Sequence, residues 1–372
     1  MAKKSVLVVI GTRPEAIKLN PVVRSLHKSK FLRPIVVSTG QHGDVLDATF
    51  LDLNLEPDYM LSIMKVNQTL TESASKILSN LQPILVHEKP CATIVQGDTT
   101  SALMGALASF YNKIPVCHVE AGLRTQDLFL PFPEEGNRRL ISVVSHFHFT
   151  PTQLATQTLI EEGYSKESVL LTGNTGIDAL LLMTQLISNN QVKIPSPIKK
   201  IIRLDNLVLV TCHRRETFGA PLIEVCEAIA QLADTRRDLN FVFPLHPNPN
   251  VLKIVESALG GRTNIHLTQA LPYSQLVSIL ENARVIITDS GGIQEEGPTL
   301  GKRTIVLRTL TERSEAVQQG MAIMVGTNKE KIIDAVLSEL SKSDKNVNPR
   351  TTLFGDGYAS ERIIKTLEEN FG

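Results

Sequence analysis

The chain has 372 residues, with 38 Lys plus Arg against 38 Asp plus Glu, 42% apolar residues and 20% charged ones. That length exceeds one modest core and fits about two domains. Ordinary apolar content and zero net charge exclude a chain disordered throughout, and the balance argues against a general nucleic-acid binder while leaving room for a local anion site. No window approaches about 18 uncharged apolar residues, so no membrane partner is expected. The run Val6–Ile10 stops at Gly11 and meets Arg13 and Glu15 at once, which suits a first strand better than a signal peptide. Cys91, Cys117, Cys212 and Cys226 form no CxxC pair and lie in or beside apolar runs. Buried, reduced thiols and a cytoplasmic location are therefore expected.

Short β-branched runs alternate with amphipathic stretches. Strands are expected at Ser5–Ile10, Pro34–Ser38, Ala92–Gln96, Val116–Val119, Phe147–Thr150 and Val169–Leu171, with helices over Glu15–Lys28 and Ser101–Tyr111. A helix is expected over 174–190, and Asn189–Asn190 and Pro195-Ser196-Pro197 then punctuate the chain. Strands resume at Asn206–Thr211, Asn240–Pro244, Val285–Thr288, Arg303–Leu307 and Ala322–Val325, with helical patterns near 220–233, 273–282, 312–319 and 329–341, and a last one over Ala359–Phe371. This is βαβ alternation, and it predicts two doubly wound parallel sheets. The expected division is 1–189, a linker at 190–203, a second domain at 204–355 and a terminal helix at 356–372. Such sheets bind ligands at the C-terminal ends of their strands, and with two of them a cleft between domains is the expected site.

The chemistry-bearing residues stand at those strand ends. Gly11-Thr12-Arg13-Pro14-Glu15 follows the first strand; glycine permits a tight turn and close ligand approach, and Arg13 with Lys18 could meet a phosphate, although a plain turn with solvated charges is also compatible. Asp98 suits either chemistry or capping of the next helix. Glu120 suits a general base, an ion pair with Arg124, or both. Pro131-Phe132-Pro133 stiffens the approach to Glu134-Glu135, acids in a first helical turn. In the second half, His213 could move a proton or touch phosphate, with a structural histidine as the alternative. His246-Pro247-Asn248 makes a rigid polar strand end. Ser290-Gly291-Gly292 opens a helix and offers free N–H groups to a phosphate, with Glu296 further in and Arg313 after the next strand. No HExxH or CxxC spacing points to a metal, and no GxGxxG to a nicotinamide or flavin.

Taken in order, these motifs closely resemble the non-hydrolysing UDP-N-acetylglucosamine 2-epimerase family. The resemblance spans nearly the whole chain: Gly11-Thr12-Arg13-Pro14-Glu15-Ala16, Thr39-Gly40-Gln41-His42, Gln96-Gly97-Asp98-Thr99, His118-Val119-Glu120-Ala121-Gly122-Leu123-Arg124-Thr125 and Pro133-Glu134-Glu135-Gly136-Asn137-Arg138 in the first half. His213-Arg214-Arg215-Glu216, His246-Pro247-Asn248-Pro249, Thr288–Glu296, Thr311-Glu312-Arg313 and Phe354-Gly355-Asp356-Gly357 follow. It implies a glycosyltransferase-B type α/β fold, two Rossmann-like domains facing a cleft, with the last helix packing back on the first domain. It implies a homodimer that interconverts UDP-N-acetylglucosamine and UDP-N-acetylmannosamine with no cofactor and no metal, by anti elimination of UDP to 2-acetamidoglucal and re-addition. By the same resemblance Asp98, Glu120, Glu134 and His213 are catalytic. Arg13, Lys18, Arg138, Ser290, Gly291, Gly292 and Arg313 serve the UDP phosphates, Glu296 the ribose, Leu271 and Tyr273 the uracil, and His246 also binds substrate.

One segment departs from the family. Many bacterial members carry an activating second UDP-N-acetylglucosamine site whose Gln-His segment continues with an Arg. Here Gln41-His42 is followed by Gly43-Asp44, so weakened or altered activation is expected. A glycosyltransferase of the same fold, a hydrolysing epimerase and a non-catalytic sugar-nucleotide sensor are the competing readings, since fold alone does not decide function.

Overall fold

The apolar runs form strands with no hydrophilic face. In β1 (Lys4–Ile10) every residue from Ser5 on is buried, because helices cover both sides of a parallel sheet. The computed structural model describes residues 2–372 except 42, 65–67, 126, 213, 215–216, 246–247, 310, 312 and 343–350, with the backbone alone of Asn250 and Ser314. Chain contacts divide it into one unit of Met1–Leu182 with Phe354–Gly372 and a second of Met183–Leu353.

In the first unit β1 is joined by β2 (Leu32–Ser38), β3 (Tyr59–Met60), β4 (Ala92–Gln96), β5 (Val116–Val119), β6 (Phe147–Thr150) and β7 (Val169–Leu171) in the order β3-β2-β1-β4-β5-β6-β7. Every pairing is parallel. The connections carry α1 (Arg13–Lys28), α2 (Asp44–Leu53), α3 (Leu70–Glu88), α4 (Thr100–Tyr111), α5 (Glu134–Val144), α6 (Gln153–Glu161) and α7 (Thr175–Ser188). Strand order reverses between β1 and β4, so the loops after these two strands diverge to opposite faces and leave a crevice.

The second unit holds α8 (Ser196–Ile201), β8 (Leu207–Thr211), α9 (Ala220–Thr235), β9 (Asn240–Pro244), α10 (Pro249–Leu259), β10 (Ile265–Thr268), α11 (Tyr273–Asn282), β11 (Val285–Thr288), α12 (Gly291–Thr299), β12 (Arg303–Val306), α13 (Ser314–Gln318), β13 (Ala322–Met324) and α14 (Lys329–Ser341). Its six strands run β10-β9-β8-β11-β12-β13, again all parallel, with the reversal between β8 and β11. Phe241, Phe243, Val208, Val210 and Ile287 meet Leu222, Val225, Ile229 and Val255 in its core.

The terminal helix α15 (Ala359–Phe371) belongs to the first unit, where it packs on α1. Ala359, Ile363 and Leu367, four residues apart, form its buried stripe. Asp178 of α7 caps it, accepting from the Ala359 and Ser360 backbone N–H groups at 3.2 and 2.7 Å. The stretch read as a linker, 190–203, contains α8 with Ile198 buried, and the change of unit falls inside α7. Strands β3 and β10 and helices α2, α3, α6 and α10 lie beyond the elements expected from sequence, whereas α5 starts at Glu134, as expected. In α3 a Thr69–Glu72 capping box starts nineteen residues whose first turns are mostly polar, which hides the apolar period.

Candidate functional site

The residues singled out in the first half gather at the β1/β4 reversal. Gly11 ends β1 where α4 begins, and a Cβ there would stand 1.9 Å from Ser101 Oγ and 2.8 Å from Thr39 Oγ1. Its smallness therefore serves close approach of protein to protein, where the sequence had suggested approach of a ligand. Ser101 also donates to Gln41 Oε1 at 2.6 Å. Glu15, in the first turn of α1, is 1% exposed. It accepts from Gly11 N–H and Thr12 Oγ1 at 3.0 and 2.7 Å, and from Thr99 Oγ1 at 2.7 Å. Burial holds its pKa up at about 7, against the lowering effect of those bonds.

Asp98 is not the cap of α4. Thr99 is, its hydroxyl accepting from Ala102 N–H at 3.0 Å. The Asp98 carboxylate instead receives Arg138 Nη2 at 2.7 Å, and its backbone carbonyl receives Asn137 Nδ2 at 2.8 Å. Both donors belong to α5, so they tie the start of that helix to the end of β4. Glu134 opens α5 and makes no hydrogen bond or ion pair among the described residues. Its neighbour Glu135 is fully buried and structural: it accepts from Thr125 N–H and Arg139 and pairs with Arg138. The peptide bonds before Pro131 and Pro133, on the approach to this helix, are cis.

Glu120 ends β5, next to β4, in a left-handed conformation with φ 64°. Such a backbone costs a non-glycine residue about 1–3 kcal/mol and tends to mark functional positions. Its partner is Lys18 of α1, whose Nζ lies 2.6 Å from both carboxylate oxygens, and Gln96 Nε2 donates to it as well. The alternative pair with Arg124 does not form, because Arg124 turns to Glu162 and Ser142. Lys18 and Arg138 were both read as phosphate ligands; the structure places each against a carboxylate. Arg13 is half-buried at the start of α1. Beneath this layer His118 Nε2 bonds the Gly97 carbonyl at 2.7 Å. Burial pushes His118 down to about 3 and its β6 neighbour His148 down to about 4, so both are neutral at pH 7.

The second unit repeats the plan at its own reversal. Asp289, fully buried after β11, accepts from Arg214 N–H and Thr217 Oγ1 after β8, both at 2.9 Å. Ser290 is the N-cap of α12 and makes no side-chain cap bond. A Cβ on Gly291 would stand 3.0 Å from the Arg313 guanidinium, whereas one on Gly292 would meet nothing within 4 Å. Arg313 thus lies over the positive end of α12, held by Glu295 at 2.8 Å, a combination that favours an anion. Glu296 is buried on the same helix and accepts from Tyr273 Oη at 2.9 Å; Leu271 is buried nearby in sequence, before α11. His42, His213 and His246 lie outside the described residues.

Three thiols are buried and Cys91 is half-buried, against the expectation that all four would be; burial raises all of their pKa values, to about 12 for Cys226. Among the described residues no group of three His, Cys, Asp or Glu is placed to hold a metal ion, and no helix is long and apolar enough to cross a membrane.

Glu15 and Asp289 are the site residues that sequence reading left without a role. Each stands in a motif already marked, but an acid's hydrogen bonds to another loop have no linear signature.

A family model described as UDP-N-acetylglucosamine 2-epimerase matches residues 24–368. The chain is 43% identical over 376 residues to a UDP-N-acetylglucosamine 2-epimerase of Campylobacter jejuni, covering 98% of this chain and 97% of that one. It is also 43% identical over 374 residues to that of Escherichia coli K12, with 98% of each covered. Among solved structures it is similar to a UDP-GlcNAc 2-epimerase of Neisseria meningitidis bound to UDP-GlcNAc, with a TM-score of 0.89 and 40% identity over 98% of this chain and 100% of that one. Two parallel sheets, each flanked by helices, give both the glycosyltransferase-B type of architecture.

Proposed function

Because the chain belongs to the non-hydrolysing UDP-N-acetylglucosamine 2-epimerase family, we infer that it interconverts UDP-N-acetylglucosamine and UDP-N-acetylmannosamine by inversion at carbon 2. The observation that supports a mechanism is the grouping of carboxylates in the first unit. Asp98 and Glu120 end the adjacent strands β4 and β5, and Arg138 and Asn137 fasten to Asp98 the helix that Glu134 opens.

No carbonyl on an adjacent ring carbon acidifies the carbon 2 hydrogen. Departure of UDP from carbon 1 therefore runs ahead, and carboxylates stabilise the oxocarbenium character that develops. A carboxylate removes the carbon 2 proton, its C–H electron pair becomes the carbon 1–carbon 2 double bond, and the carbon 1–oxygen pair leaves with UDP. In the return step a phosphate oxygen of UDP attacks carbon 1 while a second acid delivers a proton to the opposite face of carbon 2. Two of Asp98, Glu120 and Glu134 exchange these roles and the third stabilises charge. His213 assists UDP departure. Lys18 and Arg138, paired with Glu120 and Asp98, orient those carboxylates.

In the second unit the start of α12 at Ser290–Gly292, where the Ser290 N–H is taken by Thr288 Oγ1 at 2.9 Å and Gly291 and Gly292 follow in the first turn, is assigned with the overlying Arg313 to the pyrophosphate; Arg13 keeps the phosphate role that its family motif gives it. Glu296, buttressed by Tyr273, is assigned to the ribose, Leu271 and Tyr273 to the uracil, and His246 to substrate. A homodimer is proposed from the apolar residues that α4 and α5 leave exposed, Phe110, Tyr111, Leu140 and Val143, and a cytoplasmic location from the free thiols. Light scattering on wild type and V143E tests the dimer.

The decisive experiment incubates the protein with UDP-N-acetylglucosamine in deuterated water, without acceptor or cofactor, and follows proton NMR. Epimerisation gives UDP-N-acetylmannosamine and loss of the carbon 2 proton signal. Free N-acetylmannosamine would mean hydrolysis, and bound but unchanged substrate a sensor. D98N, E120Q and E134Q should each lower kcat by about 10²–10⁴-fold.

A further inference from the structure

The elimination scheme gives no task to Glu15, although it is the buried acid nearest in sequence to Arg13. A Thr-x-x-Glu spacing such as Thr12 to Glu15 ordinarily makes a capping box that concerns one helix alone. Here the Thr12 side chain makes no cap bond and its hydroxyl donates to Glu15 instead. The other carboxylate oxygen reaches a different loop: Oε1 accepts from Thr99, the residue after Asp98, 84 positions along the chain. Thr99 is also the cap of α4, so the same hydroxyl joins Glu15 to the start of that helix. Glu15 therefore spans the β1/β4 reversal, with the loop that leads into Arg13 on one oxygen and the loop that presents Asp98 on the other. The second unit has a counterpart in Asp289, which spans β8 and β11 through Arg214 N–H and Thr217.

We infer that Glu15 is a positioning residue for the epimerisation, a brace that holds the Asp98 loop in register with the Gly11–Arg13 loop. The inference rests on the reading of Asp98 as a proton-transfer group. Both protonation states of Glu15 can hold the brace. The carboxylate accepts from Thr99, and the neutral acid donates to the same oxygen while its other oxygen still accepts from Gly11 and Thr12. Glutamine copies the second arrangement, whereas alanine removes it.

The test compares kcat and KM for UDP-N-acetylglucosamine in the full-length wild type and the E15A, E15Q and D98N variants, with thermal midpoints for each. The brace predicts a kcat at least tenfold lower in E15A with KM within threefold of wild type, and recovery of kcat to within threefold in E15Q. Wild-type kcat in E15A, or an E15Q as impaired as E15A, would overturn it. So would a KM that rises with kcat unchanged, because that assigns Glu15 to ground-state binding. D98N separates the two claims: near-wild-type kcat there sinks the Asp98 reading whatever Glu15 does. If E15A does not accumulate folded, T99V, with T99S as the control that keeps the hydroxyl, removes the Oε1 bond together with the α4 cap bond to Ala102 N–H and leaves the Gly11 and Thr12 bonds to Glu15. It should lower kcat at least threefold at constant KM, and an unchanged kcat overturns the brace.

Discussion

Replacing Lys18 with methionine tests whether Glu120 needs a cation beside it. Nζ sits 2.6 Å from both carboxylate oxygens, and the two side chains are 14% and 6% exposed. Methionine keeps the length and the apolar stem and leaves Gln96 donating. Removing one partner of a buried pair costs about 3–5 kcal/mol. Because the ammonium is partly wetted, solvent offsets some of that, and the working figure is about 2–3 kcal/mol at pH 8. At about 2–4 °C per kcal/mol for a domain of this size, the melting midpoint of the first unit should fall by about 4–12 °C. The stranded carboxylate will take up a proton more readily, since its desolvation is no longer opposed, so the deficit should shrink at pH 5.5. Adding E120Q to K18M should recover most of the loss, because a neutral amide needs no counter-charge, while leaving the protein inactive. Thermal melts at both pH values, followed by near-UV circular dichroism, make the comparison. A K18M protein that melts with wild type at pH 8, or a double variant less stable than K18M, would refute the electrostatic account.

Other outcomes follow from the buried titratable groups and the caps. His118 and His148 stay neutral in the fold but protonate near pH 6.5 when unfolded, so the unfolded chain binds more protons below that pH; their contribution is full above about pH 6.5 and is lost as pH falls towards 4. Glu15 has the opposite sign: with its folded pKa at about 7, it favours folding most below about pH 4.5 and loses that contribution as pH rises through 7. Urea midpoints at pH 7.5 and 5 should therefore show a shallower acid loss in H148L and a steeper one in E15Q than in wild type; parallel shifts in all three would contradict the linkage. Asp178→Ala should cost about 1–2 kcal/mol by uncapping α15, read as earlier proteolysis of the terminal helix in urea, and unchanged protection would count against it. Gly43 caps α2 at φ 48°, where a Cβ would stand 2.9 Å from Met64 Sδ, so the backbone itself disfavours the arginine common at this position in the family. UDP-N-acetylmannosamine alone should be turned over; a rate near zero until UDP-N-acetylglucosamine is added would sink that expectation.

Much was legible in the linear chain. Apolar runs of four to seven residues marked most strands, because parallel strands covered on both faces tolerate few polar residues. The strand-end motifs marked Asp98, Glu120, Glu134 and Ser290–Gly292, because α/β sheets present side chains to ligands there. Partnership was not legible. Whether Glu120 met Arg124, four residues away, or Lys18, 102 residues away, depended on the packing of α1 over β1, β2 and β4, which brings Lys18 to the residue after β5. Whether Asp98 or Thr99 capped α4 turned on one residue of backbone direction. Short or polar-faced elements such as β3 and α3 carry weak periodicity and take their stability from neighbours distant in sequence.

Length, pattern and motif by themselves determined that this protein has two βα units, and which strand-end loops hold the residues proposed for its chemistry, because hydrophobic period and strand-end polarity are local properties. The pairing of Lys18 with Glu120 and of Arg138 with Asp98, the docking of α15 on α1, and the acids that bridge each sheet's reversal were decided only by the tertiary structure. A buried charge is satisfied by whatever donor the fold brings within about 3 Å, and separation along the chain places no bound on where that donor comes from.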